Sequence, residues 1–121
     1  MANVKTFRDL IAWQKGMSLA RMVYQQTRKM PKVEQFGLTL QMRRAAVSVP
    51  SNIAEGFGRE STADMLKFLR ISRGSLNELS TQYELATSLQ MITADQSLLN
   101  MTLETDRVLQ GLIKSLEKKK K

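Results

Sequence analysis

The sequence predicts an all-α protein, an antiparallel up-down-up-down four-helix bundle, and three observations carry that prediction. Apolar residues recur at alternating spacings of three and four along four long segments, the period of a helix face. No stretch alternates apolar and polar residues over any length useful to a strand. Only two prolines and six glycines punctuate the 121 residues, too few for a chain of many tight turns. A chain of this length fits one domain and buries a modest core without staples.

The first helix is expected over about residues 7–30. Thr6 and Asp9, three apart, have the pattern of a capping box, and Pro31 stops the helix. Leu10, Trp13, Met17, Ala20, Tyr24 and Thr27 form its apolar stripe. The second helix, about 39–56, starts after the Gly37 turn and ends at Gly56. Met42, Ala45, Ala46, Val49 and Ile53 share one face, with small residues that allow close helix approach. The third, about 61–90, opens at Ser61 with Asp64 as its capping partner and carries Met65, Leu69, Ser72, Leu76, Leu79, Tyr83 and Ala86 on one face. The fourth, about 93–117, opens at Thr93 with Gln96 in the reciprocal position and runs into a basic tail, 118–121. Only Met91-Ile92 is left to connect the last two helices, which makes them antiparallel neighbours.

These helices are more apolar than one bundle core requires. Ile11, Leu19 and Met22 fall well away from the first stripe. Leu98, Leu99, Met101, Leu103, Leu109 and Leu116, with their neighbours, cover more than half of the fourth helix. A surface helix in a monomer has an apolar arc of little more than about 100°. The excess predicts self-association, against the plainer alternative of scattered exposed side chains.

Composition removes several function classes. Without cysteine there is no disulfide scaffold, thiolate metal site or thiol nucleophile, and without histidine the usual general base and commonest metal ligand are gone. The Glu-x-x-His element of bundle di-metal sites is therefore absent, and neither a Gly-x-x-x-x-Gly-Lys loop nor a Ser-x-x-Lys element occurs. No enzyme activity, cofactor or metal is expected. No apolar run approaches the 18 or so residues of a membrane span, and Met1-Ala2-Asn3-Val4-Lys5 has no signal-peptide core, so the expected location is cytoplasmic.

The formal charge is +8 and the isoelectric point about 10.1. Residues 1–33 hold seven Lys or Arg against one Asp, and residues 93–121 hold six basic against four acidic groups. Between them the signs balance. Such a distribution favours a polyanionic partner, nucleic acid before membrane. Arg8, Lys15 and Lys29 recur at multiples of seven on the side opposite the apolar stripe, with Arg21 and Arg28 in an adjacent row. Rows of this kind track a phosphate backbone by releasing counterions. No aromatic residues interleave with them, which leaves stacking on single-stranded bases without support.

The run Gln41-Met42-Arg43-Arg44-Ala45-Ala46-Val47-Ser48-Val49-Pro50-Ser51-Asn52-Ile53-Ala54-Glu55-Gly56 is the most unusual of the chain. A proline in a helix interior costs about 3 kcal/mol, so local polar groups must compensate it. Ser48 and Ser51 are placed to satisfy carbonyls near Pro50, and Asn52 and Glu55 share a turn. The competing reading has this turn present Asn52 to a ligand. Adjacent Arg43 and Arg44 point about 100° apart. One of them is expected at the core edge, paired with Glu55, Glu78 or Glu84, and the other in solvent, free to meet a phosphate.

That run, with Gly58-Arg59, Trp13-Gln14, Phe68-Leu69 and Arg73-Gly74-Ser75-Leu76-x-Glu78-Leu79, resembles the signature of the four-helix-bundle 23S rRNA-intervening-sequence proteins over about residues 7–113. The resemblance implies a bundle that assembles as a ring-like homopentamer. The chain is also similar to the accessory variability determinant of diversity-generating retroelements, which implies a basic pentamer that binds nucleic acid and a reverse transcriptase. Leu40 stands where a small polar residue is usual, and Ser80 where a second Glu is frequent. The lysine tail is outside the pattern. Together these readings make the protein a non-enzymatic, homo-oligomeric binder of RNA or DNA. Its expected contacts are Arg8, Lys15, Arg21, Arg28 and Lys29, with Arg43 or Arg44. The alternatives are an adaptor for a protein such as a reverse transcriptase, or a bare structural assembly.

Overall fold

The computed structural model describes residues 3–120. Lys121, the last residue of the expected tail, lies outside the described residues, as do Met1 and Ala2 of the segment read for a signal. Four helices, α1 (Ile11–Thr27), α2 (Leu38–Phe57), α3 (Thr62–Ser88) and α4 (Gln96–Lys120), form a bundle, with no strand among the described residues. Each helix packs on two neighbours: α1 on α2 and α4, α3 on α2 and α4, with the α2–α3 contact the most extensive and the diagonal pairs apart.

The first expected helix is split in two. Thr6 and Asp9 do form a reciprocal box, with the Arg8 N–H donating to Thr6 Oγ1 at 3.1 Å and the Thr6 N–H to Asp9 Oδ2 at 3.0 Å. The box caps a short 3-10 turn, Phe7–Asp9, rather than α1. The N–H groups of Thr6 and then Lys5 hold the Asp9 carboxyl below its ordinary value. Leu10 is extended (φ −73°, ψ 124°) because its side chain turns into the core, and α1 starts only after it. Phe7 meets Trp13 edge-on, with ring centroids 5.3 Å apart.

The core face of α1 also differs from the expected stripe. The buried residues are Ala12, Gly16, Leu19, Val23 and Thr27, while Trp13, Met17 and Ala20 are half-buried and Tyr24 is exposed. Leu19, set aside by the sequence reading, is fully buried. Gly16 explains the rotation. A Cβ there would lie 3.3 Å from Val49 Cγ1 and 3.4 Å from Pro50 Cβ, so α1 and α2 make their closest approach over the smallest residue. The bulkier stripe is turned to the outer side of that contact.

The second half follows the expectation more closely, except at its connection. Ser61 caps α3, accepting from the Asp64 N–H at 3.1 Å. The link from α3 to α4 covers residues 89–95 rather than two residues. It begins with Gln90 at φ 61°, whose N–H donates to Thr87 O while the Met91 N–H donates to Ala86 O, both at 3.0 Å. This pattern closes the helix end in a Schellman turn. Asp95, not Thr93, caps α4, its Oδ1 accepting from the Leu98 N–H at 3.0 Å. The Asp95 N–H in turn donates to the Tyr83 hydroxyl at 2.8 Å. The helix continues through Lys118–Lys120, which were expected as a tail.

Most of the wide apolar arc of α4 is used inside this one bundle. Leu98, Leu109, Ile113 and Leu116 are buried, and Met101, Val108 and Leu112 pack against the core. Leu99 and Leu103 remain on the surface, Leu103 70% exposed.

Candidate nucleic-acid interface

α2 continues through Pro50 without interruption, and polar groups surround that point. The donors are not those expected. Ser72 of α3, fully buried, donates to Val49 O at 2.8 Å, and Ser75 shares a 2.8 Å hydrogen bond with Ser48. Asn52 Nδ2 donates to Ser48 O and Ser48 Oγ, both at 2.9 Å. Asn52, half-buried, is thus bonded back along its own helix to Ser48, whereas Ser51 is exposed. Glu55 does not pair with Asn52; it is bound by Arg59, four residues on, at 2.6 Å on the surface. Glu78 is exposed and makes no ion pair among the described residues, because Leu76 and Leu79 on either side take the core positions of α3.

The two arginines separate as helix geometry requires, but the inner one finds no carboxylate. Arg43 Nε donates to Thr27 Oγ1 at 2.9 Å, Nη2 reaches Tyr24 O at 3.5 Å, and the guanidinium lies 4.6 Å from the Tyr24 ring centroid. Its partners are thus the open carbonyl end and the aromatic ring of α1, which meet both its charge and its planarity. Arg44 is exposed and free of ion pairs among the described residues.

Of the two rows expected among the N-terminal cations, Arg21 and Arg28 share one side, but Arg8, Lys15 and Lys29 do not line up. Arg8 belongs to the 3-10 turn and stacks on Phe7 at 4.5 Å, which removes it from the heptad line of α1. Lys15 is half-buried on the α4 side, where it adds to Arg107, the main cause, in lowering the Glu104 carboxyl. Arg21 and Arg28 lie on the α2 side, at the edge of a groove of about 620 Å³ between α1 and α2. Lys29 sits at the far end of α1, beside the 89–95 connection. Arg28, Lys29 and Lys32 are exposed along the segment that leaves α1 and enters the turn to α2, while Arg44 is exposed on α2 itself, six residues past its start. The sequence reading passed over Lys32; its position one residue after Pro31 was the available signal.

Charge pairing sharpens this contrast. The four ion pairs among the described residues use Arg59, Arg70, Arg73 and Arg107. None uses a cation from the first 33 residues, nor Arg43 or Arg44. These cations stand outside ion-pair distance of any carboxylate among the described residues.

The profile of the family described as 23S rRNA-intervening sequence protein matches residues 8–113. The chain belongs to this family. Among solved structures, a protein of unknown function from the S23 ribosomal protein family of Bacteroides thetaiotaomicron is similar, with 25% identity and a TM-score of 0.78. The similarity covers 86% of this chain and 96% of that one. No curated protein matches the sequence. For this member of the 23S rRNA-intervening sequence proteins, the signature run around Pro50 packs on both neighbours of α2, on α1 at Gly16 and on α3 at Ser72 and Ser75. No helix among the described residues is long and apolar enough to cross a membrane.

Proposed function

We propose that this chain is a non-enzymatic, cytoplasmic protein that binds RNA or DNA through phosphate contacts at the basic end formed by Arg28, Lys29, Lys32 and Arg44. The bundle runs up-down-up-down, and copies of it assemble as a homo-oligomer, a pentamer by family likeness. The observation that carries the reading is that Arg28, Lys29 and Lys32, leaving α1, and Arg44 on α2 are all exposed and have no ion-pair partner among the described residues. A polyanion supplies the missing counter-charge and releases its own condensed ions in doing so. The family's description, which refers to 23S rRNA, supports a ribonucleic partner as the first to try.

Titration with RNA and with duplex DNA across a salt series tests the proposal. Affinity is expected to fall linearly with log salt, with a slope of about −0.9 per phosphate contacted on duplex and about −0.7 on single strands. The triple variant Lys29→Glu, Lys32→Glu, Arg44→Glu is expected to lose binding while keeping its helicity. Undetectable affinity at low salt, or an affinity indifferent to salt, defeats the reading.

A protein partner such as a reverse transcriptase is the second reading, and one observation favours it. Val33 and Phe36 in the α1–α2 turn are 87% and 82% exposed, an unusual investment of apolar surface at a loop tip. A complex that survives high salt and disappears in Phe36→Ser would favour this reading over phosphate binding.

A further inference from the structure

We propose that the connection between α1 and α2 takes an unpaired nucleic-acid strand, one base stacking on Phe36 while Lys32 and Lys29 meet the phosphates beside it. The inference rests on the phosphate-binding reading above and narrows its partner from any nucleic acid to a single-stranded or looped segment.

Successive tight turns close this connection. The Glu34 N–H donates to Pro31 O at 2.9 Å, the Gln35 N–H to Lys32 O at 3.1 Å and the Gly37 N–H to Glu34 O at 2.9 Å. The Glu34 carboxylate reaches forward and accepts from the Leu38 N–H at 3.0 Å, at the start of α2, where unpaired N–H groups favour negative charge. On this frame Val33 and Phe36 stand 87% and 82% exposed, the two most exposed large apolar side chains among the described residues. Lys32, four positions before Phe36, is exposed beside them in the sequence. The basic rows of α1 have no aromatic residue among their cations; the connection does. Because its backbone is already held, binding orders little chain, and a stacked ring contributes to affinity with little loss.

Charge and shape together select the occupant. From residue 10 to residue 54 the chain has one carboxylate, Glu34, and it is engaged at α2. Asp95, which lines the same hollow as Lys29, is engaged as well. Its Oδ1 accepts from the Leu98 N–H and its Oδ2 from Gln26 Nε2, both at 3.0 Å. The connection thus combines a flat apolar ring with cations that no carboxylate meets. An unpaired strand answers both, since its bases offer open faces and each nucleotide carries a phosphate. A duplex answers only the cations, because its bases are already stacked on one another. An anionic bilayer also offers both, but Val33 and Phe36 enter it only with Glu34 and Gln35 between them, whose polar groups hydrocarbon does not satisfy.

A short unstructured RNA strand, and the duplex it forms with its complement, are titrated across a salt series against wild type, Phe36→Ala and Lys32→Gln. The strand is expected to outlast the duplex toward high salt, where the phosphate contribution has faded. Phe36→Ala is expected to weaken strand binding by about 5- to 150-fold, the range of one stacked base, by the same factor at every salt, and to leave duplex binding unchanged. Lys32→Gln is expected instead to reduce the salt slope for the strand by about 0.7. The chain has one tryptophan, so Trp13→Phe combined with Phe36→Trp puts its sole indole in the connection. The strand is expected to quench that emission, and vesicles of phosphatidylserine to leave it unchanged. If neither RNA binds at low salt, the phosphate reading fails and this inference with it. A strand affinity unchanged in Phe36→Ala, or a duplex that outlasts the strand at high salt, overturns the stacking inference and leaves the phosphate reading standing. Emission that responds to the vesicles and not to the strand assigns the connection to a bilayer and overturns it likewise.

Discussion

Gln90 occupies the left-handed region, φ 61°, at the position where helix ends ordinarily carry glycine. An L side chain there crowds its own carbonyl, and part of that cost is recoverable. Gln90→Gly is expected to raise stability by about 0.5–1 kcal/mol in urea denaturation, since the gain in the folded turn exceeds the added freedom of the unfolded chain. Gly56 and Gly74 form a sharper contrast. Alanine is favoured over glycine inside a helix by about 1 kcal/mol. At Gly74 no atom lies within 4 Å of the added Cβ, so Gly74→Ala is expected to show that gain in full. At Gly56 the Cβ would sit 3.0 Å from Phe68 Cβ and 3.1 Å from Met65 O, and a backbone carbonyl at a helix crossing cannot swing aside. Overpacking of about 1–3 kcal/mol then outweighs propensity, and Gly56→Ala is expected to unfold at lower urea than wild type.

The α2–α3 pair is the element that holds the proline, and its polar groups were only half visible from the chain. Serine and asparagine near Pro50 announced local polar pairing, but the buried hydroxyl there comes from Ser72, 22 positions along the sequence from Pro50. It meets Val49 O rather than Ala46 O, the carbonyl from which Pro50 withholds a donor. Periodicity alone read Ser72 as a core position and could not assign it a partner, because that partner depends on how two helices are set against each other. Ser72→Ala is expected to cost about 0.5–1 kcal/mol: a buried hydrogen bond worth roughly 1 kcal/mol is lost, and alanine's higher helix propensity returns part of it. A thermal melt measures the difference. The first helix teaches the same point from the opposite direction. Its apolar stripe was legible and helical, yet the side facing the core was misread by about one residue, since Gly16 sets the line of closest approach and a periodicity is blind to which apolar row is smaller.

Taken as one body, the molecule divides its arginines by environment. Arg44→Glu is expected to reduce the salt slope of nucleic-acid binding by about one while leaving stability nearly unchanged. Arg43→Gln is expected to leave that slope alone and to lower stability by about 1 kcal/mol, because Arg43 holds the end of α1 through Thr27 and Tyr24. Titration and denaturation of the two variants side by side check the division. The same separation marks the boundary between what the chain states openly and what folding adds. Helix number and type, the lack of groups for catalysis by histidine or cysteine, and the family signature are all local: they follow from composition, from a 3.6-residue period and from the chemistry of single turns. The stops expected at Pro31 and Gly56 are only approximate, since α1 ends at Thr27 and α2 runs through Gly56 to Phe57. The opening 3-10 turn, the seven-residue connection before α4, the rotation of α1 that buries Leu19 and the pairing of Arg43 with Thr27 and Tyr24 appear only in three dimensions. They depend on the rotation of each helix about its own axis and on which neighbours it meets, and these are decided by volume and charge contributed from other parts of the chain.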